Sequence, residues 1–105
     1  KTMKLQILPA AQNDLIEAYW FYEVQSADLG DYFLRSLMDD IESLSFLAGR
    51  HPLHFGKHRL LASTFPYSIY YTVDEDTVKI FAVFDLGIKK GFSLNSLRPT
   101  QTSKL

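Results

Sequence analysis

The 105-residue chain contains no cysteine, which removes disulfide frameworks, thiolate zinc sites, iron–sulfur clusters and cysteine nucleophiles together. It also lacks any run approaching the ~20 apolar residues that a membrane span requires, and no apolar segment follows Lys1 and Lys4 as a secretory leader would demand. A cytoplasmic protein is expected. Compositional bias is missing too: 47% apolar and 22% charged residues are ordinary globular usage, which excludes disordered, fibrous and low-complexity chains. A net charge of −1 excludes a strongly polyanionic or polycationic protein, but it conceals a division. Residues 1–47 carry three basic and eight acidic side chains, whereas residues 48–105 carry eight basic and four acidic ones together with all three histidines. An anionic partner for the C-terminal half is one reading of that split, and a solvated face is the other.

What is present reads as one α+β domain. Its length would bury roughly 65% of the extended chain's surface, enough for a core without staples. Lys4 to Leu8 alternates like a short strand, and Pro9 then suits a first helical turn. From Ala10 to about Gln25 two apolar stripes adjoin at helical spacing, Ala11/Leu15/Ala18/Tyr19/Tyr22 and Ile16/Trp20/Val24. Such a helix is either sandwiched between layers or leaves aromatic surface for another chain. Asp28 with Asp31 reads as the capped, acidic start of a second helix of about 20 residues, which Gly49 and Pro52 end. The two helices should form an antiparallel hairpin.

After a loop over Arg50–Gly56 the period changes to that of strands: His58–Ser63, Tyr67–Val73 and Thr77–Phe84. With Glu75-Asp76 as the turn, Val73 faces Val78, Tyr71 faces Ile80, Ile69 faces Ala82 and Tyr67 faces Phe84, one apolar face of eight residues. Ser68, Tyr70, Thr72, Lys79, Phe81, Val83 and Arg59 fall on the opposite face. The order is β-α-α-β-β-β, with the helices on one side of a mostly antiparallel sheet that the first strand joins at its edge. Residues 1–92 are read as the domain and residues 93–105 as a polar tail.

The histidines offer no metal centre, since Pro52 and Gly56 separate His51, His54 and His58 and no carboxylate is interleaved. No serine stands with a histidine and an acid at an interpretable spacing, so a hydrolase triad is unsupported.

The run Phe65-Pro66-Tyr67-Ser68-Ile69-Tyr70-Tyr71-Thr72-Val73, with Asp74-Glu75-Asp76 and Val78-Lys79-Ile80-Phe81-Ala82-Val83-Phe84, resembles the signature hairpin of the RelE/ParE toxin superfamily. Pro9-Ala10-Ala11 with Asp14-Leu15 and Tyr22, Leu29-Gly30 with Phe33 and Leu37, the Pro52–Gly56 loop and His58-Arg59-Leu60 extend the resemblance over about residues 4–85. It implies the toxin of a bacterial type II toxin–antitoxin pair, a plasmid-stabilisation protein neutralised by a cognate antitoxin, with no cofactor. Tyr19, Trp20, Tyr22 and Phe33 are then the expected antitoxin-binding residues.

RelE-like members of that superfamily cut messenger RNA in the ribosome, and ParE-like members poison DNA gyrase without known catalysis. Metal-free RNA cleavage requires a positioned nucleophile, cations for the phosphorane and a proton donor. The family supplies an arginine on the strand that begins here at His58, and a histidine with basic residues just after the last strand. Arg59 matches the first. Where the second should stand, this chain reads Asp85-Leu86-Gly87-Ile88, and Lys89 and Lys90 come late. Asp85 would repel a phosphate. A ParE-like inhibitor is therefore expected, with Arg59, Lys79, Lys89 and Lys90 as a basic target-binding surface; a RelE-like mRNA interferase using Arg59, His58, Lys89 and Lys90, or an inactive antitoxin-binding remnant, is the alternative.

Overall fold

A computed structural model describes residues 2–87. In chain order the elements are β1 (Lys4–Ile7), α1 (Pro9–Glu23), α2 (Leu29–Glu42), α3 (Leu44–Leu47), β2 (Leu53–His54), β3 (Lys57–Leu61), β4 (Tyr67–Asp74) and β5 (Thr77–Asp85). The strands form one sheet in the order β1-β5-β4-β3-β2. Its pairings are antiparallel except for the first strand, which runs parallel to β5 with Leu5 opposite Val78 and Ile7 opposite Ile80. This is the expected α+β domain, with β1 at the sheet edge. The boundary expected at residue 92 and the tail beyond it lie outside the described residues.

The core is what the alternating and helical patterns place between the layers. Ala11, Leu15, Ala18 and Tyr22 of α1, and Phe33, Leu37 and Ile41 of α2, meet Tyr67, Ile69, Tyr71, Val78, Ile80 and Val83 of the sheet. Tyr22 stacks on Phe33 with ring centroids 5.1 Å apart, and Phe65 and Tyr67 close around the pair.

Three local features differ from the sequence expectation. The second helix breaks at Ser43 into α2 and α3. Asp28 stands at the N-cap position of α2 with left-handed backbone, φ 72°, and makes no side-chain cap. The cap comes from the end of α1 instead: the Glu23 carboxylate accepts the backbone N–H groups of Asp28 and Gly30 at 3.0 and 2.9 Å, which satisfies donors a helix start leaves orphaned. The segment read as a loop before β3 contains β2, which turns into β3 through Phe55 and Gly56, both at positive φ.

The fourth difference concerns register. Val73 faces Val78 and Tyr71 faces Ile80 as expected, but a bulge between Tyr70 and Tyr71 opposes Ile69 to Val83 and Tyr67 to Asp85. The extra residue on β5 is Phe81. One inserted residue reverses the facing of everything after it, so Val83 is buried in the core and Phe84 stands 54% exposed on the far side. The ladder that the bulge disturbs is completed from α1, whose Asp14 carboxylate accepts the Val83 N–H at 2.9 Å.

Candidate functional site

Two surfaces are available. The first is on the helices. Of the two apolar stripes of α1, the one led by Ala11 and Leu15 is buried, and the other is not: Ile16 is 55%, Trp20 55% and Val24 79% exposed. Leu15, Ile16, Tyr19 and Trp20, with Leu34 of α2, line an apolar groove of about 220 Å³. Trp20 packs edge-on against Tyr19 at 4.9 Å, so the groove's aromatic wall is held in place by a neighbour one residue away. Among the four expected antitoxin-binding residues, Tyr19 and Trp20 line this groove, whereas Tyr22 and Phe33 are buried in the core and do not line it. Ile16 and Leu34 were missed as groove residues. The signal for Ile16 was its place in the second stripe.

The second surface is the sheet face turned away from the helices. Register sets Arg59 beside Tyr70 and Ala82, Leu61 beside Ser68 and Phe84, and Thr72 beside Lys79 and Gln6. The Lys57 ammonium lies over the Phe81 ring at 4.8 Å and the rings of Tyr70 and Phe84 are 5.7 Å apart. This is a face of cations between aromatic rings. Lys57 escaped the sequence reading although its alternation with Arg59 places both on one face. Lys79 is engaged by Asp74 at 3.2 Å, an exposed pair worth little. Arg59 has no ion-pair partner among the described residues. Lys89 and Lys90 lie outside the described residues.

His58 does not join Arg59. Neighbouring residues on a strand point to opposite faces, and His58 lies on the helix side, stacked on the Tyr71 ring at 5.1 Å with its Nδ1 2.7 Å from the His51 carbonyl. That carbonyl can only accept, so His58 carries its proton on Nδ1. The Tyr71 hydroxyl accepts the Gly49 N–H at 3.0 Å and lies 2.5 Å from His51 Nδ1. Burial raises the Tyr71 pKa, so the hydroxyl keeps its proton and can donate it to an unprotonated His51 Nδ1. Burial and the neighbouring His58 both hold the His51 pKa below its ordinary value. The two histidines thus tie the β2–β3 hairpin to β4 and leave Arg59 without a histidine on its face, where its ladder neighbour is Tyr70. Among the described residues no group of histidine and carboxylate side chains is arranged to hold a metal.

A chain of the solved structure described as the chromosomal ParDE TA system from P. aeruginosa superposes on this one with a TM-score of 0.73, covering 80% of this chain and 96% of that one at 19% identity. The two chains share a fold. No protein-family model matches the sequence, and no curated protein does. At that identity the shared element order and sheet carry over, and the surfaces described above belong to this chain's own residues. Among the described residues no helix is long and apolar enough to cross a membrane.

Proposed function

We propose that this chain is the toxin of a type II toxin–antitoxin module, ParE-like in action, held inactive in the cytoplasm by a cognate antitoxin and arresting growth by binding a cellular target such as DNA gyrase. The observation that carries the partner is the uncovered apolar stripe of α1 with its groove. A monomer that kept Ile16, Trp20 and Val24 in water would expose a contiguous apolar patch of the kind that marks an interaction surface. An amphipathic helix with apolar residues at helical spacing is the ligand such a groove fits. The fold shared with a chain of a ParDE structure supports the same reading.

Binding without catalysis is supported by the sheet face. Cleaving RNA needs a cation and a proton-transfer group around one reacting centre, each worth several kcal/mol in the transition state. Arg59 has aromatic neighbours, Tyr70 among them, but no histidine on its side, and β5 ends on Asp85 where the family's basic stretch would begin. The RelE-like alternative rests on the same cation-and-ring face, which could hold a single-stranded nucleic acid by stacking and charge. Expressing the chain alone in a bacterial host tests toxicity, and purified protein then separates the two targets. Trapped gyrase–DNA cleavage complexes with intact ribosome-bound message are expected. Message cleavage lost in Arg59→Ala would replace the gyrase reading with the nuclease one, and unimpaired growth would remove both.

A further inference from the structure

Phe55 is the most exposed large apolar side chain among the described residues, at 95%. It also holds left-handed backbone, φ 55°, in the turn that it forms with Gly56 between β2 and β3. Such a turn favours asparagine or glycine, and a bulky residue kept there against strain points to a use outside the fold's own contacts. Two residues before it, Leu53 is exposed as well. The segment 50–59 that carries this apolar knob has three basic side chains, Arg50, Lys57 and Arg59, three histidines and no acid.

The groove on α1 has the opposite character. Its volume of about 220 Å³ is ample for a phenyl ring, since a cavity of about 150 Å³ binds benzene. Through Leu34 it continues into a depression lined also by Asp28, Asp31, Arg35 and Met38. Neither Asp28 nor Asp31 holds an ion pair among the described residues. Residues 9–42, which form both long helices and the turn between them, carry eight acidic side chains against one basic. Within one molecule the knob and the groove cannot meet. α1 is bonded to β5 through Asp14 and Val83, and β2 is the far edge of the sheet. Three strand spacings, about 14 Å, separate β5 from β2, and the groove opens on the solvent side of α1.

We propose that the Phe55 turn of one copy of this chain enters the α1 groove of a second copy, so that the protein associates head to tail. An apolar knob on a basic segment meets an apolar groove on an acidic one, and hydrophobic burial and charge favour the same contact. Groove against groove would set acid against acid. A contact between unlike surfaces leaves a free knob at one end of the assembly and a free groove at the other, so growth does not stop at two copies. The inference goes beyond the toxin reading, because it concerns the chain by itself. Where a partner's helix fills the groove, that helix and Phe55 compete for the same walls, and binding the partner takes the assembly apart.

Sedimentation velocity of the full chain over a wide range of concentration tests this. The average mass should rise past that of a dimer, more steeply at low salt than at high, since salt screens the opposed charges. Phe55→Asn, which suits the turn, and Trp20→Ala, which removes a wall of the groove, should each weaken association by at least about tenfold with the circular dichroism spectrum unchanged. Mixing the two variants should restore association, because the first keeps an intact groove and the second an intact Phe55, and the mass should then stop at that of a pair. Four results would overturn the proposal: a monomer at every concentration, association undiminished in Phe55→Asn, association strengthened by salt, or no recovery on mixing. Association undiminished in Phe55→Asn but lost in Trp20→Ala would assign the contact to two grooves facing each other. Growth arrest does not enter the measurement. A chain that poisons nothing can pass it and one that traps gyrase can fail it, so the two readings stand or fall separately.

Discussion

Replacing Gly30 by alanine probes how closely the two helices approach. A Cβ at that position would lie 2.6 Å from the Tyr19 carbonyl oxygen and 2.9 Å from both Cβ and Oε1 of Glu23. The carbonyl belongs to the backbone of α1 and cannot rotate away, so the helices must separate or tilt. Such overpacking costs about 1–3 kcal/mol. Glu23 would also be pushed off the Asp28 and Gly30 amides, losing a helix cap worth about 1 kcal/mol. Against this, alanine is a better helix former than glycine by about 1 kcal/mol. The net expectation is a loss of about 1–3 kcal/mol, and because each kcal/mol moves the midpoint of a domain near this size by about 4–8 °C, melting should fall by roughly 5–20 °C. Thermal unfolding followed by far-ultraviolet circular dichroism, with urea unfolding as the check on two-state behaviour, measures it. Glu23→Ala alone isolates the cap and should lose about 1 kcal/mol. In the double variant the two losses should not add, because the alanine has already displaced the carboxylate. A Gly30→Ala chain that melts at or above the parent temperature would refute the reasoning and show that the α1–α2 spacing is set elsewhere.

Trp20→Ala should leave stability within about 0.5 kcal/mol, as an exposed site does, yet weaken neutralisation by the partner by about 2 kcal/mol or more, as loss of an interface tryptophan does; co-expression rescue of growth and calorimetry of the pair measure the two effects. His51 is neutral in the fold with its pKa held down by burial and His58, so the unfolded chain takes up the proton first. Stability is then complete above pH about 6.5 and declines as the pH falls below it, a slope that His51→Gln should flatten in urea titrations between acid and neutral pH. Phe55 occupies left-handed backbone, φ 55°, while 95% exposed. Phe55→Asn should therefore stabilise the hairpin by about 0.5–1 kcal/mol, since Asn-Gly is the favoured pair for such a turn, and a drop in melting temperature would count against a strained phenylalanine.

The fold was legible because its period is strong where its contacts are many. Two stripes on α1, one on α2 and the alternation of Tyr67–Val73 and Thr77–Phe84 locate four elements and the sheet side they bury. The failures share a cause: each depends on a contact between residues that the local pattern does not connect. The Glu23 cap spans the break between helices, so the acid next to the helix start, Asp28, reads as its cap. The strand β2 is two residues long and is made by pairing with β3 rather than by its own composition. Phe55 at a position where glycine or asparagine is usual hides the turn. In the candidate site, the exposed stripe of α1 was visible as excess apolar circumference, but which stripe faces the core is decided by packing. His58 and Arg59 read as neighbours in chemistry and are separated by the sheet between them.

The bulge at Phe81 changes how this chain must be lined up against any other. Counting residues forward from the β4–β5 turn pairs like with like only as far as Ile80. Past that point a relative with an uninterrupted last strand would, at equal count, present each side chain on the contrary side of the sheet, so its residue matched to Asp85 would answer to a different neighbourhood. Equivalence beyond Phe81 has to be judged by facing, with one gap opened in the other sequence. Val83 then stands where a straight strand would carry residue 82, and the acid at 85 aligns with a position conventionally assigned one step earlier.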